Sequence, residues 1–133
     1  GRRSFYSETD RLLVIQENAR DDTVVHEMGH WWEHSDPTVN KKALAFWERR
    51  TAGEETQKLS DILPGRGFRE TELTKRDKFS DPYTGKIYLD ADGVQAATEI
   101  VSMGLEYMYS DPLRFATSDP DFFDFIYNLA RGR

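Results

Sequence analysis

The sequence predicts a single α+β domain in which helices dominate and a small sheet contributes three or more strands. Two observations predict this fold class. Several stretches repeat apolar residues every three to four positions, as amphipathic helices do, and shorter β-prone runs lie between turn residues. The chain has 133 residues, which suffice for one hydrophobic core and are too few for a second. We therefore expect residues 1–133 to form one domain.

In the first half of the chain, the pattern predicts a strand followed by two helices. The run RLLVIQE, residues 11–17, is β-prone and precedes a polar turn. Asp22 or Thr23 can cap a helix that runs to about His34. Proline at a first helical turn and glycine as a stop predict a second helix over residues 37–52.

In the second half, we expect a loop, a hairpin and two further helices. Residues 54–68 are charged and contain LPGRG, which is typical of a loop. Residues 71–90 alternate and turn at DPYTG, which indicates a hairpin. A third helix is expected over residues 93–109. The last helix is capped by Ser118 or Asp119, begins with proline and ends near Gly132.

Composition excludes several classes of function. A formal net charge of −6 disfavours nucleic-acid binding, because phosphate contacts need a basic face. The absence of cysteine excludes disulfides and thiolate metal sites. No apolar run approaches the roughly 20 residues of a membrane span, and GRRSFYSETD lacks the hydrophobic stretch of a signal peptide. We expect no nucleic-acid or membrane partner. Because the chain does not begin with methionine, we expect a domain excised from a larger protein.

The stretch TVVHEMGHWWEH carries the clearest chemical pattern, H-E-x-x-H on a predicted helix. His26 and His30 are four residues apart and share a helix face, so both imidazoles can reach one ion. Glu27 is rotated by about 100° from His26, where it can accept a proton from water beside the metal without being a ligand. The alternative interpretation is two surface histidines on an amphipathic helix.

The flanks of this motif indicate how its helix packs. Val25, Met28 and Trp32 fall on the side opposite the histidines, so we expect them to cover the core. Trp31 can line the cleft or cover the core, and we favour the core. Glycine at position 29 lowers helix stability by roughly 1 kcal/mol relative to alanine. A close approach of another backbone at this position would explain why glycine is there.

Catalytic zinc takes three protein ligands, so a third must come from elsewhere. His34 lies about 12 Å along the helix axis from His26, too far to share an ion with both histidines. Asp36 has the spacing of the third ligand in the extended metzincin pattern, but Glu33 stands where that pattern needs glycine.

Glu99 is the favoured third ligand. It lies in the predicted helix over residues 93–109, whose other face carries the apolar residues Val94, Val101, Leu105 and Met108. Gly104 offers a second position for close helix contact. The alternative is that Glu99 is an exposed glutamate in a salt bridge.

At this point the sequence resembles the gluzincin metallopeptidases, whose third ligand is a glutamate on a helix after H-E-x-x-H. Their E-x-x-S arrangement is similar to Glu99 and Ser102. Many members then place an aspartate where this chain has Met103, so their usual partner for a ligand histidine is missing. Glu106, one turn further, can replace it.

A resemblance to one group covers most of the chain. DPYTGKIY, TEIVSMGLEYMYSDP and DPDFFDFIYNLARG are similar to the zincin-like C-terminal domain of some phage head-morphogenesis (minor head) proteins. The resemblance implies a small zincin-like domain with an H-E-x-x-H helix, a third-ligand helix and a small sheet. It also implies other domains of a phage head protein as partners, and a cytoplasmic or virion-associated location.

The expected function is zinc-dependent hydrolysis of a peptide or protein substrate, with zinc on His26, His30 and Glu99 and with Glu27 as general base. The residue that stabilises the oxyanion stays open among Tyr83, Tyr88, Tyr107 and His34. A second hypothesis is a catalytically silent zincin-fold structural or interaction module of a phage or prophage protein, with or without a metal retained for stability. A third is a metal-dependent toxin or amidase that acts on a non-peptide bond.

Overall fold

The computed structural model describes residues 20–133 and, before them, the backbone of two short strands. Those strands are β1 (Phe5–Ser7) and β2 (Leu12–Val14), and β3 (Thr56–Lys58) and β4 (Leu73–Lys75) follow. The helices are α1 (Asp21–Ser35), α2 (Pro37–Thr51), α3 (Leu59–Ile62), α4 (Ile100–Ser110), α5 (Pro112–Ser118) and α6 (Pro120–Ala130). The predicted mixture of dominant helices and few strands is confirmed. The predicted sheet of three or more strands is wrong, because the described strands form two separate antiparallel pairs.

Two compact units make up the chain, and the first comprises Gly1–Asn40 and Val101–Arg133. In it β1 pairs with β2, and this hairpin contacts α1. The predicted strand over residues 11–17 is confirmed at Leu12–Val14, and the rest of that range lies outside the described residues. The apolar core of this unit consists of Val39, Val101, Met103, Phe115, Phe122, Ile126 and Leu129.

Helix α1 begins earlier than its predicted caps. Neither Asp22 nor Thr23 caps it, because Arg20 holds the N-cap position without a side-chain cap bond. Asp21 and Asp22 instead lie in the first turn, where carboxylates favour the positive end of the helix dipole. Asp36 ends α1 and caps α2, since its carboxylate accepts hydrogen bonds from the backbone nitrogen atoms of Thr38 and Val39 at 3.0 and 3.4 Å.

The last helix, α6, begins as predicted. The Asp119 carboxylate accepts a hydrogen bond from the backbone nitrogen of Phe122, and proline occupies the first turn. Gly132 follows the helix with a positive φ of 77°. The sequence analysis missed α5, although Asp111 caps it in the same manner by accepting from the backbone nitrogen of Arg114.

The second unit, Lys41–Ile100, contains most of α2 and the β3–β4 pair. The predicted loop over residues 54–68 is wrong in part, because β3 and α3 lie within it. The predicted hairpin over residues 71–90 is reduced to a bridge between Thr74 and Lys86, because β4 pairs with β3 instead. A 3₁₀ helix, Pro82–Gly85, occupies the predicted turn. A Cβ on Gly85 would overlap the Lys75 carbonyl oxygen, so the close backbone requires glycine there.

The helix predicted over residues 93–109 begins only at Ile100. Before it, the Asp90 carboxylate accepts hydrogen bonds from the backbone nitrogens of Asp92 and Val94, and Leu89 bridges Gln95. These side-chain hydrogen bonds stabilise a turn in place of the first helical turns. Val94 is therefore exposed rather than in the core. Glu99 therefore lies immediately before α4 and not inside it. None of the helices described is long and apolar enough to cross a membrane.

Candidate metal centre

Helix α1 buries the face that carries the motif. Glu27 and Gly29 are buried, and His26 and His30 are half-buried. Met28 and Trp31 are 51% and 48% exposed, so the prediction that they cover the core is wrong. The hydrophobic pattern misled here because the buried face of this helix is built from polar side chains and a glycine.

The contact of α1 with α4 explains the glycine. A Cβ built on Gly29 would lie 2.5 Å from the Cα of Ser102, which is closer than real atoms approach. The predicted close crossing at Gly29 is therefore confirmed within the first unit. Gly104 has a different role, because a Cβ there would overlap the side chain of Ile126 in α6.

The three predicted ligands lie together. His26, His30 and Glu99 each offer one ligand atom, and these atoms all lie within 4.8 Å of one another. The two imidazole rings are edge to face, with centroids 5.1 Å apart. Glu99 is fully buried, so the alternative of an exposed glutamate is wrong. Its position follows from the chain, since it directly precedes α4 and lies three residues before Ser102.

The donor set fits zinc. Two imidazole nitrogens and one carboxylate oxygen form a ligand combination that zinc prefers in catalytic sites. Ligand atoms within 4.8 Å of one another are close enough for one ion to be held by all three after small side-chain shifts. A buried carboxylate also gains from a neighbouring cation, because burial penalises an uncompensated charge.

Glu106 lies beside the first histidine. Its Oε1 is 3.8 Å from Nδ1 of His26, and both side chains are largely shielded from solvent. The separation is compatible with Glu106 as the replacement for the missing aspartate, which stays a prediction. Met103, which stands at the aspartate position of the resembling family, is buried in the core instead.

A tyrosine pair adjoins the third ligand. The Tyr88 hydroxyl donates a short hydrogen bond to Oε2 of Glu99, and the Tyr83 hydroxyl lies 3.4 Å from that of Tyr88. Burial is the main cause that raises the pKa of the Tyr88 hydroxyl far above its usual value, and the charge of Glu99 adds to it. Tyr88 is therefore a neutral hydrogen-bond donor at ordinary pH.

The other candidate residues for the oxyanion and the metal have different surroundings. The ring of Tyr107 packs against Phe115 and Phe122, with centroids 5.4 and 6.3 Å away, so packing explains its position. His34 is half-buried in the last turn of α1. The capping bonds of Asp36 account for that residue without a metal.

The hydrogen bond from Tyr88 to Glu99 was not predicted from the sequence. The signal was present in the turn DADG, which folds the chain so that Tyr88 and Gln95 come side by side. Reading that turn as a hairpin would have brought Tyr88 towards the residues just before α4.

Comparison with protein-family models, curated proteins and solved structures found no match for this chain.

Proposed function

We propose that this protein is a zinc-dependent peptidase that hydrolyses peptide bonds with Glu27 as its general base. The supporting observation is the convergence of His26, His30 and the fully buried Glu99 to within 4.8 Å. Glu27 adds a carboxylate at the helix position that an H-E-x-x-H peptidase uses for proton transfer.

His26 and His30 would hold zinc through imidazole nitrogens, and Glu99 would hold it through a carboxylate oxygen. Because Nδ1 of His26 lies 3.8 Å from Oε1 of Glu106, we favour Nε2 as the nitrogen that would hold the metal. Zinc, when bound, supplies a Lewis acid that polarises a carbonyl group and acidifies water. The Glu27 carboxylate accepts a proton from the attacking water and returns it to the leaving amine.

The substrate class and setting rest on the resemblance to zincin-like domains of phage head-morphogenesis proteins. That resemblance favours a peptide or protein substrate and neighbouring domains of a phage head protein as partners. The dominance of helices is compatible with a small zincin-like fold. The charge of −6 is consistent with a substrate other than nucleic acid.

A second candidate function is a structural module that uses the same metal for stability. The burial of Glu27 and Glu99 favours it, because structural metal sites are closed to solvent. The two candidates differ at Glu27, which metal binding alone does not require.

The test is cleavage of an unfolded protein by the zinc-loaded chain, with and without a chelator. Under the peptidase proposal, cleavage stops with chelator and returns with added zinc. The Glu27→Gln chain is the matched control, since it preserves shape and removes the proton acceptor. If the parent binds zinc but cleaves no more than Glu27→Gln, the structural module is the better description.

A further inference from the structure

Glu99 is held by a hydrogen bond from within its own unit. Its side chain is fully buried, and its Oε2 accepts a hydrogen bond from the Tyr88 hydroxyl. We propose that Tyr88 is a positioning residue that occupies Oε2 so that Glu99 presents Oε1 alone to the metal. This inference rests on the metal centre of the proposed function and adds a determinant of its affinity and coordination.

Tyr88 is itself fixed on several sides. Its backbone nitrogen donates to Oε1 of Gln95 at 2.9 Å, and Nε2 of Gln95 donates to the carbonyls of Lys86 and Ala97 at 3.1 and 2.8 Å. The Gln95 amide thus ties the backbone around Tyr88 to the segment that leads to Glu99. The Tyr88 hydroxyl reaches Glu99 from a backbone that is already held in place. Less conformational entropy of these side chains is therefore lost when the metal binds.

The aromatic ring of Tyr88 is also covered. The Lys86 ammonium lies 4.8 Å from its centroid, a distance typical of a cation–π contact. The same ammonium binds Oε1 of Glu72 at 2.8 Å, so it is held in place. The Tyr83 hydroxyl adds a polar contact behind the Tyr88 hydroxyl at 3.4 Å. Ring and hydroxyl are therefore both restrained.

A hydrogen bond of this kind matters because a carboxylate can bind a metal through one oxygen or through two. A donor on Oε2 favours the single-oxygen mode and prevents rotation of the carboxylate. Partners that orient a ligand in this way typically contribute 10- to 100-fold to metal affinity.

The experiment is a double-mutant cycle on zinc affinity, measured by competition with a chromophoric chelator. Tyr88→Phe should bind zinc about 10- to 100-fold more weakly than the parent. In a Glu99→Gln chain, adding Tyr88→Phe should cause no comparable further loss, because the carboxylate that it positions is gone. Tyr109→Phe removes an exposed hydroxyl that binds Asp21 and serves as the matched control, with unchanged affinity expected.

A spectroscopic measurement separates positioning from general stability. The visible absorption of the cobalt-loaded protein depends on coordination number, so it should change in Tyr88→Phe and stay unchanged in Tyr109→Phe. If Tyr88→Phe does not fold, Tyr83→Phe provides the test: removal of the outer hydroxyl should cause a measurable loss of zinc affinity, smaller than about tenfold.

The proposal is overturned if the folded Tyr88→Phe chain, or Tyr83→Phe in its place, binds zinc as tightly as the parent. It is also overturned if Tyr88→Phe causes the same loss with and without the Glu99 carboxylate. Unchanged zinc binding by Glu99→Gln alone would remove the metal centre of the proposed function as well. Failure at Tyr88 only would leave that centre intact.

Discussion

Glu27 has a different task from the two histidines beside it on α1. His26 and His30 lie one helical turn apart and contribute ligand nitrogens, whereas Glu27 is 8% exposed and lies between them in the sequence. A carboxylate that accepts and returns a proton can be replaced by an amide without loss of metal ligands. Replacing Glu27 with glutamine should therefore affect catalysis and leave metal binding unchanged.

Glu27→Gln should retain one zinc per chain and lose peptide hydrolysis by about 10²- to 10⁴-fold, the usual contribution of a general base. Zinc content and initial cleavage rates of the purified parent and variant measure this directly. Equal cleavage rates in the two proteins would reject Glu27 as the base.

Glu106→Gln should weaken zinc binding by about 10- to 100-fold, because Nδ1 of His26 loses the charged oxygen that lies 3.8 Å away. Competition titration with a chelator measures the change. Glu48→Gln, at an exposed position of α2, is the control and should bind zinc as the parent does. The same affinity in both variants would exclude a role for Glu106 in orienting His26.

At the residue scale, much of the candidate site could be predicted from the sequence, because H-E-x-x-H is a local pattern with a fixed helical geometry. Glu99 is predicted from the less apolar face of the helix expected over residues 93–109, although that helix begins only at Ile100. The hydrogen bond from Tyr88 to Glu99 could not be predicted from a local pattern, because these two residues come together only when the turn between them is folded.

At the scale of elements, glycines and caps account for how the helices are placed. Gly29 lets α1 approach Ser102 of α4, and Gly104 lets α4 accommodate Ile126 of α6. Asp36, Asp111 and Asp119 each accept hydrogen bonds from the first turn of the helix that follows.

Gly29→Ala should lower both the melting temperature and the affinity for zinc. Alanine gains about 1 kcal/mol of helix propensity, but its methyl group meets backbone at 2.5 Å, and overpacking costs about 1–3 kcal/mol. Gly104→Ala meets the flexible side chain of Ile126 instead and should lower the melting temperature alone. Thermal unfolding and zinc titration of both variants test this, and parental values for Gly29→Ala would contradict the close crossing.

Asp119→Ala should destabilise the protein by about 1 kcal/mol, because the backbone nitrogen of Phe122 loses its acceptor at the start of α6. Denaturant unfolding gives the change in free energy, and zinc affinity should stay unchanged since α6 supplies no ligand. An Asp119→Asn chain keeps an acceptor and should recover most of the stability. Equal loss in both variants would point away from capping.

The helices were the most predictable elements because their signals are local. Proline at a first turn predicts α2 and α6, and the same signal at Pro112, after Asp111, indicates α5. The β3–β4 pair joins segments that are 15 residues apart between Lys58 and Leu73, and three exposed residues in β3 leave no periodic pattern to read.

At the scale of the whole molecule, the chain divides into two compact units, each with its own apolar residues. The prediction of a single domain stays a prediction. Zinc binding should raise the melting temperature of the chain, by mass action on the folded state.

The zinc content of the chain after dialysis shows directly whether His26, His30 and Glu99 hold one ion. We expect one zinc per chain for the parent and for Glu27→Gln, and none for His30→Ala or Glu99→Ala, with all four proteins folded by circular dichroism. A parent that holds no zinc, or a Glu99→Ala chain that holds as much as the parent, would contradict it.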